Sequence, residues 1–343
     1  MNGKDPGEFI HSNHANAVAV GGTDATVNIR MPVLPLSHVL ITVQANLTSA
    51  NTSDNFTNLL GALTSIQFQY RGAQIWNLNG LDLYRLVRSM GLFGFRPEMY
   101  GLGAAGVRMF TLCLPFGRFL YDPEECFPAV NQGETNLAIS FTAAPTGYDT
   151  LKYSVDSVQL INGAPSTFIR AITFSDTPAA TGDKDYDLPR AAPCVGIGLH
   201  VNAALPASAS PNVSLVKILA NNQDYMYATA TPGSLRAMQC LRRSVGYEME
   251  TFAHVENTGG AYTQNAATLS QYLLNSPTGN FMWLPFDVYA DDSYIAPANL
   301  FQDFKMRLTF ANAGAIRYMP VELWTPDMLT RSKTAATGTL TKK

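Results

Sequence analysis

Apolar and polar residues alternate at period two along most of this chain. His38 to Leu47 reads HVLITVQANL, Ser65 to Tyr70 reads SIQFQY and Leu137 to Phe141 reads LAISF. Further on come VGIGLHV at 195–201, VSLVKIL at 213–219 and FKMRLTF at 304–310. Such alternation sends one face of a strand inward and the other toward solvent or a neighbour. Gly-, Pro- and Asn-rich turns separate the runs, which predicts a sandwich or barrel rather than an α/β fold. Two stretches switch to helical spacing. In the first, Asn79 is placed to cap with Asp82 three residues on. Leu83, Leu86, Val87 and Met90 form the apolar face, and Gly91 is placed for the left-handed C′ position. In the second, Thr231 caps and Pro232 opens the helix. Leu235, Met238, Leu241 and Val245 form the stripe, and Gly246 ends it.

These elements recur in the same order. LPF at 114–116 returns at 284–286. Each copy then runs through an acidic turn and a Pro-Ala pair (128–129, 297–298) into an alternating strand ending at Phe141 or Phe310. LKY at 151–153 parallels IRY at 316–318. NGLDLYRLVRSMG from Asn79 parallels SLRAMQCLRRSVG from Ser234, and VLPL at 33–36 resembles DLPR at 187–190. The offset drifts slowly, as loop insertions would make it. The chain therefore reads as one β-rich domain in tandem duplicate. The expected division is an arm at 1–20, a first copy at 21–160, a second at 161–330 and a tail at 331–343. About eight strands fill each copy, and eight strands in two sheets make a jelly roll. The expected fold class is all-β: two tandem eight-stranded jelly rolls, each with one inserted short helix. Irregular loops are expected at 101–106, 175–184 and 256–274.

The length of 343 residues allows two sizeable cores. Charged residues make up 14%, against roughly 25% in a typical soluble domain, while hydrophobic residues make up 46%. Either much of the surface is hidden in an assembly, or it is built of Asn, Gln, Ser and Thr. The net charge of −3 and scattered bases give no footprint for nucleic acid. Arg331, Lys333, Lys342 and Lys343 make the tail slightly basic. Lys4, Asp5 and Glu8 precede any apolar run, unlike a signal peptide, and no apolar stretch is long enough to span a bilayer.

Candidate chemistry is sparse. The acids Asp122, Glu124 and Glu125, and Asp287, Asp291 and Asp292, suggest paired carboxylates of a glycosidase or calcium ligands. Both sets fall in the same turn of each repeat, beside proline, as an ordinary polar turn would. His11 and His14 sit three apart near the start of the chain, a spacing that is more often incidental than metal-binding. His38 and His200 read as structural or interfacial, and His254 is the fifth histidine. Cys113, Cys126, Cys194 and Cys240 fit no metal or redox spacing, and two of them, inside apparent strands, read as small buried hydrophobes. Sequons occur at Asn46, Asn51, Asn55 and Asn212 in a chain rich in Asn. Neither VGIGLH nor GLGAAG has a dinucleotide-binding context, and no nucleophile-elbow, zinc-protease or phosphate-loop motif is present. The many aromatics could stack sugars but more commonly fill β cores and interfaces. No catalytic, cofactor-binding or metal residue is assigned, and no cofactor is expected.

With its duplicated LPF…PA…LxIxF segment, a helix in each copy and a short arm, the chain from about 20 to 325 resembles the double jelly-roll major capsid proteins of tailless icosahedral viruses. These are membrane-containing bacteriophages and relatives in the adenovirus-like lineage. The resemblance implies a non-enzymatic structural protein of the virion shell, assembled in the host cytoplasm. It implies a homotrimer whose six rolls form a pseudo-hexagonal tile. The implied partners are neighbouring capsomers, penton and minor capsid proteins, and an internal viral membrane at one end, with no sequence-specific binding of nucleic acid. Two alternatives remain open at this point: a glycan-processing hydrolase of two jelly rolls, and a carbohydrate-binding or spike protein.

Overall fold

The computed structural model describes residues 8–21, 25–47, 56–91, 107–142, 144, 148–201, 212–243, 255–258, 261–264 and 280–329. The first roll holds β1 (Phe9–Ala19), β2 (Thr26–Arg30), β3 (Leu36–Leu47), α1 (Phe56–Gly61), β4 (Leu63–Tyr70), β5 (Ala73–Leu78), α2 (Gly80–Met90), β6 (Val107–Pro115), β7 (Thr135–Phe141) and β8 (Tyr148–Leu160). One sheet runs β1-β8-β3-β6 and the other β2-β7-β4-β5. The second roll holds β9 (Phe168–Ile172), β10 (Phe174–Asp176), β11 (Gly182–Asp187), β12 (Cys194–Val201), β13 (Val213–Ala220), β14 (Gln223–Asp224), α3 (Pro232–Arg243), the hairpin β15 (Val255–Thr258) and β16 (Ala261–Gln264), then β17 (Phe281–Pro285), β18 (Phe304–Phe310) and β19 (Ile316–Trp324). Its sheets run β9/β10-β19-β12-β17 and β11-β18-β13-β14. Strand for strand, the order repeats the first roll. Each roll is therefore an eight-stranded jelly roll, with α2 and α3 at the same place in the chain path.

The alternation decides which side chains enter each core. Val39, Ile41 and Val43 of β3 face Leu137 and Ile139 of β7 across the first sandwich; Ile197, Leu199 and Val201 face Met306 and Leu308 across the second. Both helix starts behave as their sequences predict. Asn79 accepts from the Asp82 backbone N–H at 2.7 Å and donates to the Asp82 carboxylate at 2.9 Å. Gly91 closes α2 at φ 81°, where a side chain would be strained. Thr231 Oγ1 accepts from the Ser234 N–H at 3.2 Å.

The two rolls are continuous. β5 pairs in parallel with β9 (Trp76 opposite Ala171), so a sheet of the first roll and a sheet of the second fuse into one of nine strands. The open side of the first sandwich is filled by the outer face of β12, β17 and β19: Phe281, Trp283, Met319 and Val321 belong to the first core cluster, not the second. All eight residues of β12 are buried for that reason. Gly196 and Gly198 are needed there. A Cβ at 196 would lie 2.5 Å from Trp283, and one at 198 would lie 2.7 Å from Phe281 and 3.0 Å from Leu86 of α2.

Several details depart from the sequence reading. Residues 9–19, expected within an arm, form the edge strand β1 along β8. Their sequence lacks an apolar period because polar pairs hold them: Asn13 to Asp156 at 2.9 Å, His14 to Ser157 at 2.8 Å and Gln159 to Ser12 at 3.1 Å. Part of 175–184 is strand rather than loop, since β10 and β11 pair with β19 and β18. Residues 255–258 and 261–264 pair as a hairpin. LKY and IRY both lie in the last strand of their roll, but the ladders align Arg317 with Ser154, two residues from Lys152. Met238, expected in the apolar stripe of α3, is exposed. The run 101–106, His254 and the tail 331–343 lie outside the described residues.

Candidate functional site

Two regions concentrate unusual chemistry: the seam between the rolls and the end where the short loops gather. At the seam, Asp82 on α2 is fully buried, and Arg317 on β19 grips it with both arms of its guanidinium, at 2.6 and 2.9 Å. Arg85 adds a contact to Asp82 at 3.3 Å and donates to Asn280 at 2.8 Å. Burial alone would raise the Asp82 carboxyl. The hydrogen bonds and charge of Arg317, then the charge of Arg85, outweigh it and hold the pKa below the usual value. His200 beside them is pushed down to about 3, first by burial, then by the charges of Arg85 and Arg317. It is therefore neutral at physiological pH.

At the opposite end of the seam stands Arg118, in the turn just after LPF. It donates to Glu125 at 3.0 Å, to Asp292 at 2.6 Å and to Asp287. The two acidic turns, one from each roll, thus come together around a guanidinium. Burial would lower the Arg118 pKa, but the hydrogen bonds and charge of Glu125, then Asp287 and Asp292, raise it. Asp122 and Asp291 cap their own turns, accepting from the N–H of Glu124 and Ser293 at 2.9 and 3.0 Å. Between these points Arg170 joins Glu322 and the Gln74 carbonyl, and stacks 4.6 Å over Trp324. Sequence reasoning found the acids but not their partner. Its only signal was a lone arginine between acidic turns in a charge-poor chain.

The connections β2–β3, β4–β5 and β6–β7 share one end, tied by Leu36 N–H to Phe127 O, Val130 N–H to Val33 O and Arg71 N–H to Glu134 O. The start of β1 and the link between rolls lie there too, since Ile161 N–H bonds Glu8 O and Ala164 N–H bonds Pro123 O. Large apolar side chains stand exposed at this end: Phe9, Phe119 and Tyr121 in the first roll, Tyr289 and Leu300 in the second. His38 is buried beneath Tyr121, ring centroids 5.2 Å apart, and burial followed by His11 lowers it to about 4. His11 lies 3.4 Å from Asp156 and His14 bonds Ser157, so the HSNH spacing serves the β1–β8 pairing. Cys113, Cys126 and Cys194 are free thiols, each raised first of all by burial. Asn212 is buried at the start of β13, and Asn51 and Asn55 lie outside the described residues.

No family model matches the sequence, and no curated protein does. Solved structures match nearly the whole chain. A chain of the Sulfolobus Turreted Icosahedral Virus is 11% identical with a TM-score of 0.64, covering 96% of each chain. The major capsid protein of bacteriophage PM2 is 12% identical with a TM-score of 0.57, covering 93% of this chain and 99% of that one. The capsid of the virus PBCV-1 gives 11% and 0.59, covering 94% and 95%. With both rolls matched end to end, strand order repeated and one helix at the same place in each, this chain has the double jelly-roll fold of the major capsid proteins of tailless icosahedral viruses.

Proposed function

We propose that this chain is a major capsid protein whose trimers tile the faces of an icosahedral shell. The observation that carries this reading is the pair of like rolls, fused side by side through one sheet. A duplicated unit lets three chains present six similar walls, and a closed three-fold ring satisfies rotational symmetry. The chains it matches over nearly their whole length support the same reading. In this arrangement the rolls stand upright. The end with the short, well-bonded loops and exposed Phe9, Phe119, Tyr121, Tyr289 and Leu300 points inward, toward the internal viral membrane, and the opposite end of the rolls points outward. Neighbouring capsomers flank each tile, and penton and minor capsid proteins complete the shell.

A two-roll hydrolase would need acids free to work on a substrate. Glu125, Asp287 and Asp292 are instead bound to Arg118, which favours a mechanical role for these turns. Purified protein examined by sedimentation and electron microscopy tests the reading. Three-chain particles of hexagonal outline are expected. A single-chain species at every concentration would overturn it.

A further inference from the structure

The repeat gives each residue at the seam a counterpart elsewhere, and the counterparts are open. Inside the chain α2 closes the first sandwich and is buried at all but one of its positions, because the second roll lies against it. α3 holds the same place on the second roll, where Arg236 reaches the Phe281 carbonyl. Yet Ser234, Ala237 and Met238 of α3 are exposed. Met238 is 44% exposed, whereas its counterpart Leu83 is fully buried. Among the described residues, nothing in the chain covers this helix face.

The receiving surface has a counterpart too. On the second roll, the outer row Phe281–His200–Arg317 lies under α2. Counting from Pro285 opposite Gly196 and Pro115 opposite His38, the same row on the first roll is Thr111–Thr42–Ser154. All three are half-buried, and a shallow hollow between α2 and β6, lined by Val87, Thr111 and Cys113, opens beside them. The open edges match as well. β5 and β9 meet within the chain, while their counterparts β14 and β1 end their sheets.

We infer that the exposed α3 face of one copy seats on the outer face of β3, β6 and β8 in the first roll of a second copy. This repeats between chains the contact that α2 makes within one, and it rests on the trimeric reading above. The two contacts differ in chemistry. Asp82, which takes Arg317, is replaced by Ala237, and Arg118 is replaced by Val288 after the second LPF. A row of hydroxyls replaces Phe281, His200 and Arg317. The joint between chains is therefore polar and lacks the ion pairs of the internal seam, so chains part before rolls do.

Met238→Arg and Thr42→Arg, made separately, test this by light scattering on a sizing column and by thermal unfolding. Each is expected to turn the three-chain species into single chains with unchanged circular dichroism. The pair Met238→Cys and Thr42→Cys in one chain should give disulfide-linked trimers on a non-reducing gel. If the wild type is a trimer and both arginine variants remain trimers, this contact is wrong while the trimer stands. If the wild type is never a trimer, the capsid reading fails first.

Discussion

Acidification should weaken this fold through two buried histidines. His200 is held near pKa 3 and His38 near 4, against an ordinary 6.5. Both are neutral in the fold, so the unfolded chain takes up protons first. Their contribution to stability is complete above pH 6.5 and falls as pH drops, His38 levelling off near 4 and His200 near 3. At pH 5 each is about 1.5 units below its unfolded pKa, which costs about 2 kcal/mol per histidine. Together they remove roughly 4 kcal/mol from a domain stability that is typically about 5–15 kcal/mol. Burial lowers His14 in the same sense. Glu322, raised by burial, works in the opposite sense, so the cleanest reading is a difference between variants. Urea unfolding at pH 7 and pH 5 should show His200→Gln losing about 2 kcal/mol less than wild type. Equal losses in the two proteins would refute the argument that burial, helped by Arg85 and Arg317, keeps this imidazole neutral.

Further consequences follow from the seam. Arg317→Met leaves Asp82 buried with Arg85 as its remaining cation and should cost roughly 3 kcal/mol in urea unfolding at neutral pH, the low end for a broken buried pair. Gly198→Val drives a side chain into Phe281 and Leu86 and should lower stability by about 1–3 kcal/mol, with the shift readable as a lower Tm.

Much of the fold was legible because the repeat was legible. The LPF segments mark the ends of β6 and β17, and Phe141 and Phe310 end β7 and β18, so the sequence match and the ladders agree. Capping chemistry located α2 and α3 but not the short α1. What escaped was held by partners distant in sequence. β1 carries almost no apolar period, because Asp156, Ser157 and Gln159 on β8 hold it rather than a core. VGIGLHV alternates, yet both its faces are buried, and alternation alone does not tell a neighbour from solvent. The acids at 125, 287 and 292 read as two separate turns. Only the packing of the rolls brings them to Arg118, 169 residues from Asp287 along the chain. Met238 broke the expected stripe because nothing among the described residues covers it.

The most direct test of the structural role is an image of the purified assembly at subnanometre resolution. Three chains around a three-fold axis are expected, with six upright rolls at steps of about sixty degrees and α3 of each chain against the first roll of the next. Single chains without ordered contacts, or a ring in which the α3 face stays open to solvent, would contradict it.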